Sequence, residues 1–173
     1  MSCALTSGYT LDCRDSMGGV IEMYFIAFND VSAITEASGI VTAITKSAPK
    51  RFYKYEQERE TASFVENLTS SIQNGSNFFT QELTTVINKM AVATRNELSL
   101  LVKNRLMAVV KDANGLYWLL GRTRGLQGTA GNSGTGVAGA DRNGYTFTFT
   151  ATEPALAVSV DSATVSTLQT PGV

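Results

Sequence analysis

The longest apolar run, Val20 to Phe28, is interrupted only by Glu22 and is rich in aromatic and β-branched residues. That composition predicts a strand with most of its surface buried. It follows a small, polar opening that ends in the turn signal Met17-Gly18-Gly19, and Asn29-Asp30 closes it. Ile40–Thr45 reads as a second short strand after Ser38-Gly39, and Lys46 to Lys50, with Pro49, as a connection. Phe52–Glu56 begins a third strand. Residues 61–73 read as a long β segment, although Phe64, Leu68 and Ile72 also keep a four-residue helical spacing. Asn74-Gly75 is a tight-turn dipeptide, and Phe78–Ile87 returns as the partner strand. A hairpin over 61–87 is too long to bury itself on its own domain. It therefore predicts a protruding arm that meets a neighbouring subunit, with Asn74, Gly75, Phe78 and Phe79 as the contact residues.

Thr94-Arg95-Asn96-Glu97 has the form of a capping box, in which the threonine and glutamate side chains satisfy orphan amides reciprocally. With the apolar stripe Leu98, Leu101 and Val102 behind it, it predicts one short helix over 95–104. A rival reading extends this helix back to Thr80 through Leu83, Ile87, Met90 and Ala91; the capping signal favours a strand and then a helix. Leu106–Lys111 and Leu116–Gly121 flank Asp112-Ala113-Asn114-Gly115, a second Asn-Gly hairpin between apolar runs. The Gly-rich stretch 125–144 reads as a loop, flexible over 128–140. In Tyr145–Thr150 aromatic residues alternate with threonines, the pattern of a half-buried strand. Thr152-Glu153-Pro154 ends it, Ala157–Val160 is a last strand, and the Ser/Thr-rich tail 161–173 reads as loosely held. The sum is a mainly β, antiparallel sandwich or barrel with one short helix, a single domain over 1–173 without repeats.

Composition changes this picture in one respect. Charged residues are 17% of the chain against about 25% in ordinary soluble domains. A shortage of surface charge predicts that much of the surface ends against other protein. The net charge of −1 and the mixed signs of the run Lys50–Glu60 argue for a solvated strand there and against a nucleic-acid patch. No apolar run approaches the roughly 20 residues of a membrane span. The start, Met1-Ser2-Cys3-Ala4-Leu5, lacks the basic and apolar regions of a secretory leader, which points to a cytoplasmic site of synthesis. In that compartment Cys3 and Cys13 are expected as thiols, a disulfide being the alternative.

Candidate chemistry is sparse. The chain has no histidine, which removes Ser-His and Cys-His nucleophiles and the commonest metal ligand. Neither Gly18-Gly19 nor 128–136 has the lysine and spacing of a phosphate loop. Asp12, Asp15, Glu22, Asp30 and Glu36 show no catalytic pairing. The expectation is a non-enzyme with no cofactor, metal or catalytic residue.

Three stretches together carry a resemblance: the helix Thr94–Lys103, the hairpin Lys111–Gly121, and the loop and strand Ala140–Thr150 followed by Glu153-Pro154. In that combination the chain resembles the tail-tube proteins of long-tailed bacteriophages, a family that includes the inner-tube proteins of contractile injection and type VI secretion machines. The opening Cys3–Gly19 with Val20–Phe28 is similar to virion proteins of phages infecting Bacteroidetes-type bacteria. The resemblance implies a virion structural protein that closes into homohexameric rings with a continuous inner β-barrel. The rings stack into a tube for DNA passage, in a tail assembled in the host cytoplasm. It implies partners at the tube ends and inside it (tail terminator, tape-measure, and baseplate or hub proteins), with DNA only as transient cargo and no membrane. The 61–87 hairpin is then the arm toward an adjacent subunit or ring, and Ser/Thr-rich strand faces line the lumen.

Three other readings remain open at this level. Low charge and β-rich architecture also suit a tail terminator, a collar or ring protein, or a capsid decoration. A carbohydrate- or ligand-binding sandwich would use Tyr53, Tyr55 or Trp118 as a platform, but Trp118 sits inside an apolar hairpin and reads as core. A small hydrolytic enzyme is the most remote alternative.

Overall fold

Two strands are apolar at nearly every position because both of their faces are buried. β1 (Val20–Ala27) and β7 (Leu106–Asp112) pair antiparallel in the interior of a large sheet. Met23, Phe25, Ala108 and Val110 point into one core, and Tyr24, Ile26, Met107 and Val109 into a second core on the opposite face. A strand covered on both faces loses the hydrophobic-polar alternation, so the apolar runs recognised in the sequence mark the middle of the fold. The computed structural model describes Leu5 and residues 7–172. Cys3 lies outside them; Cys13 is exposed and has no disulfide partner among the described residues.

The remaining strands are β2 (Val31–Ala37), β3 (Ile40–Lys46), β4 (Tyr53–Glu56), β5 (Ser63–Ser71), β6 (Ser76–Asn88), β8 (Tyr117–Leu120), β9 (Gln127–Gly134), β10 (Gly144–Glu153) and β11 (Val158–Val160). The larger sheet has the order β2-β3-β11-β8-β7-β1-β4, and the smaller one β5-β6-β10-β9. All pairings are antiparallel except β11 with β3. Leu83, Phe149 and Ala151 of the smaller sheet meet Phe25, Val110 and Leu120 of the larger one in the first core, where Phe25 and Phe149 lie 5.6 Å apart between ring centroids. Helix α1 (Val92–Lys103) adds Leu98 and Leu101 to that core. The protein is mainly β with little helix, as the sequence pattern predicts; of the two architectures that pattern left open, sandwich or barrel, it has two packed sheets and no closed barrel.

Several expectations are corrected. The capping box at Thr94 does not form. The helix starts at Val92, two residues before Thr94, with Ala91 as N-cap and no side-chain cap. The chain is fixed just upstream, where Lys89 N–H donates to the Asn143 carbonyl and Met90 N–H to the Asn143 side chain. Those contacts set where the helix begins, and the local signal loses to them. β2, which the sequence reading leaves unassigned, pairs with β3 across a two-residue Ser38-Gly39 turn, both residues at positive φ.

β9 runs through the stretch expected to be a flexible loop. Its glycines follow from a neighbour: Gly131 lies opposite Phe147, and a Cβ there would stand 2.3 Å from that ring. The strand gives up its own side chain so that an aromatic residue of β10 can lie over it.

The tail expected to be loose is held. Helix α2 (Ser162–Ser166) carries Val165, and Val165 and Leu168 are buried in the second core. Phe52 N–H donates to Leu168 O, and Gly172 N–H to Lys50 O. The buried Lys46 ammonium donates to the carbonyls of Thr167, Leu168 and Thr170 at 2.6, 3.3 and 2.9 Å.

The charged run does form a solvated edge strand. On β4, Lys54 lies 3.0 Å from both Glu22 and Glu56. Burial raises the Glu22 carboxyl, but hydrogen bonds from Tyr24 and Lys54 and the charges of Lys54 and Lys111 outweigh it, and its pKa falls below the usual value. Burial, followed by the hydrogen bond to Glu22, pushes the Tyr24 phenol up to about 12. A phenol that holds its proton longer in the fold contributes stability that is complete below pH 10 and lost as pH rises toward about 12. Tyr24→Phe should therefore reduce the fall of unfolding free energy over that interval by about one proton equivalent. Unchanged slopes in denaturant titrations across those pH values would refute the assignment.

Candidate subunit interface

The sequence places the contact residues on a hairpin, and β5 and β6 form it over nine rungs, from Ser63–Thr84 to Ser71–Ser76. The connection is wider than a two-residue Asn-Gly turn. Ile72, Gln73, Asn74 and Gly75 all lie between the strands, with Gly75 N–H donating to Ile72 O and Gly75 at a φ of +61°. Phe78 and Phe79 are adjacent on β6 and so point to opposite faces. Phe79 stands opposite Leu68 on the core-facing side, and Phe78 opposite Thr69 on the other. Both rings are half-buried, whereas Ile72 at the tip is 96% exposed and Leu68 60%. The apolar stripe of the arm thus continues past the end of the core into solvent.

A layer of buried polar groups marks where the core ends. Gln81 donates to Glu66 at 2.9 Å and accepts from Gly121 N–H at 2.9 Å. Glu66 also accepts from Ala157 N–H, and the buried Glu153 carboxylate accepts from Thr123 and Arg124 N–H. These bonds fasten the base of the arm to the larger sheet, because each group would otherwise be buried without a partner. Beyond them nothing of the described chain covers Leu68 or Ile72.

The edges of the two sheets differ in charge. The larger sheet ends in β4, with Lys54 and Glu56, and in β2, whose Glu36 pairs with Arg122. Charged side chains on an edge hinder pairing with another chain. The smaller sheet ends in β5 and β9. β9 has no charged residue, and the one charge on β5, Glu66, turns inward to Gln81. Both edges are open among the described residues, and neither carries proline.

The outer face of the smaller sheet is a threonine field. Thr146, Thr148, Thr150 and Thr152 of β10 stand beside Val86, Thr84, Glu82 and Thr80 of β6. Glu82 is the one charge these two strands place on that face. Val86 is buried; the threonines are half-buried in the manner of a sheet face with water on it.

The other sequence candidates do not assemble into a site. Glu22, Asp30 and Glu36 are held apart in ion pairs with Lys54, Lys50 and Arg122. No group of three metal-ligating side chains occurs among the described residues, and no helix there is long and apolar enough to cross a membrane. Trp118 packs on Phe64, 6.5 Å between ring centroids, and donates its indole N–H to Asp112. Tyr55 packs edge-on against Phe25, and of the three proposed platform aromatics only Tyr53 is exposed. Tyr53 and Tyr55 share a face of β4, but Tyr55 and Trp118 are taken up against the first core, so the three make no exposed platform. What sequence reasoning missed was the pair of uncharged edges. The lack of charge in 127–134 was legible, but that these residues form an edge strand was not.

No family model matches the chain, and neither the curated proteins nor the solved structures give a match.

Proposed function

We propose that the chain is a non-enzymatic structural subunit of a phage tail tube, whose copies close into six-membered rings that stack around a channel for DNA. The observation that carries this reading is the pair of open, uncharged edges on one four-stranded sheet. In the order β5-β6-β10-β9 every neighbour is antiparallel, so β5 and β9 run in opposite directions. Rotating a second copy so that its β5 lies beside β9 of the first continues the antiparallel sheet without a break. That contact joins two different edges, a head-to-tail interface that forms a ring when the rotation closes.

Closure would turn the outer faces of all the smaller sheets to one side as a continuous wall. Facing inward, the threonine field gives a polar lining with no basic group to grip a passing polyanion. The arm, with Ile72, Asn74 and Gly75 at its tip, then reaches a neighbouring subunit or ring. The tube ends and interior would be met by terminator, tape-measure and baseplate or hub proteins. The site of action is the virion tail, after assembly in the host cytoplasm.

Negative-stain images of concentrated protein test the reading: open tubes or stacked six-fold rings are expected. Isolated trimers or another ring number would instead indicate a different virion component, such as a collar or decoration protein. Removing residues 70–79 leaves Asn67–Thr80 as the last rung of the hairpin. With Leu68-Thr69 replaced by Asn-Gly to supply the turn, this variant should keep its circular dichroism spectrum and lose polymerisation. Wholesale unfolding would place the arm in the core.

A further inference from the structure

Residues 7–17 form neither helix nor strand, and their large apolar side chains stand in water. Tyr9 is 88% exposed and Leu11 83%. The segment is tied down at its base, where Met17 N–H donates to the Asn114 side chain at 2.7 Å. Fully extended, its 11 residues would reach about 35 Å. Asp12 and Asp15 against Arg14 leave it with a net charge of −1.

Elsewhere on the surface, between α1 and the ends of β9 and β10, lies a cleft of 420 Å³. Leu98, Val102, Tyr145 and Phe147 floor it, Arg95 and Lys103 stand on its rim, and no acidic residue lines it. The chain's own 7–17 segment does not line it either.

We propose that this cleft receives the 7–17 segment of a second copy of the chain. Tyr9 and Leu11 are two residues apart and share a face of an extended strand, so both enter together and exchange water for the apolar floor. Asp12 and Asp15 follow toward Arg95 and Lys103, opposite charges over a desolvated contact, which fixes the direction in which the segment lies. A free-standing apolar segment and a basic-rimmed apolar cleft on the same chain are complementary halves of a head-to-tail contact. The inference rests on the self-assembly reading and adds a second contact that the sheet edges do not need.

Cross-linking of mixed chains tests it. In a Cys3→Ser background, one chain keeps Cys13, and the other carries Cys13→Ser and Ser99→Cys; Ser99 lies exposed at the cleft. A short bis-maleimide should give a covalent heterodimer in the mixture and none with either chain alone. Tyr9→Asp with Leu11→Asp in the first chain should cut its yield at least tenfold. If rings or tubes form and no mixed cross-link appears, the inference fails while the self-assembly reading stands. If the parent chain forms no assembly at the same concentration, that reading fails and takes the inference with it. A single chain carrying both Cys13 and Ser99→Cys that cross-links only within itself would assign the cleft to its own segment and overturn the proposal.

Discussion

If copies join through β5 and β9 as proposed, lysines at Ala130 and Asn132 should leave the chain a folded monomer. Both positions are exposed on β9, opposite Thr148 and Thr146 of β10. In the isolated chain the new side chains extend into water at little cost. By strand alternation they stand on the outer face beside those threonines, and in a ring they would be crowded when the β5 strand of the next copy is laid against β9; long charged side chains on an edge strand oppose such pairing. Partial desolvation of the two ammonium groups at roughly 1.4 kcal/mol each, every 1.4 kcal/mol being tenfold in affinity, would weaken each contact about a hundredfold. Light scattering coupled to size exclusion should show monomer at concentrations where the parent forms rings, with a melting temperature within a few degrees of it. Ala33→Lys with Thr35→Lys on β2 is the control: it adds the same two charges to exposed positions on the other sheet, whose edge already carries charge. Loss of assembly in the control, or its survival in the β9 variant, would remove the sheet edges from the mechanism.

How much of this was legible in the sequence depends on the range of the forces involved. β1 and β7 were visible because a strand buried on both faces is written as a continuous apolar run. β10 was visible because Tyr145, Phe147 and Phe149 keep the period of two, and the β7–β8 hairpin because Asn114-Gly115 marks its turn. β9 was hidden because Phe147 lies over Gly131, so the strand's identity is stored in the residues of another strand. The start of α1 was misread for a related reason: a backbone held by Asn143, far along the chain, outweighs a capping box worth about 1 kcal/mol.

The candidate interface divides in the same way. The hairpin and its four named residues could be found from the Asn74-Gly75 signal and the length of the flanking runs. The placement of Phe78 and Phe79 on opposite faces follows from strand alternation alone. The openness of β5 and β9 could not be found. It depends on β10 inserting between β6 and β9, a long-range pairing with no local trace.

The C-terminal segment is the plainest case of a structure stored elsewhere, and it gives the largest expected effect on stability. From composition alone, 161–173 is a solvated tail. Lys46 changes that, because its ammonium ends among three carbonyls of the turn that follows α2, two of which, Thr167 and Leu168, also accept from the Thr170 and Phe52 N–H groups. The residue is only 7% exposed, and burial lowers its pKa below the usual lysine value. Lys46→Met keeps the length and the apolar stem but removes every donor. The Thr167 and Leu168 carbonyls keep their backbone donors and water can reach the Thr170 carbonyl after a small opening, so the loss is smaller than three orphaned groups would imply, about 2–3 kcal/mol. For a chain of this size that lowers the melting temperature by roughly 5–10 °C. Hydrogen exchange should localise the damage: the Phe52 and Gly172 amides, which bond to Leu168 O and Lys50 O, should lose protection first. The Phe25 and Val110 amides on the interior strands of the larger sheet should keep theirs. Uniform loss across both sheets would mean that the tail is part of the cooperative core, and unchanged exchange would mean that Lys46 does not hold it.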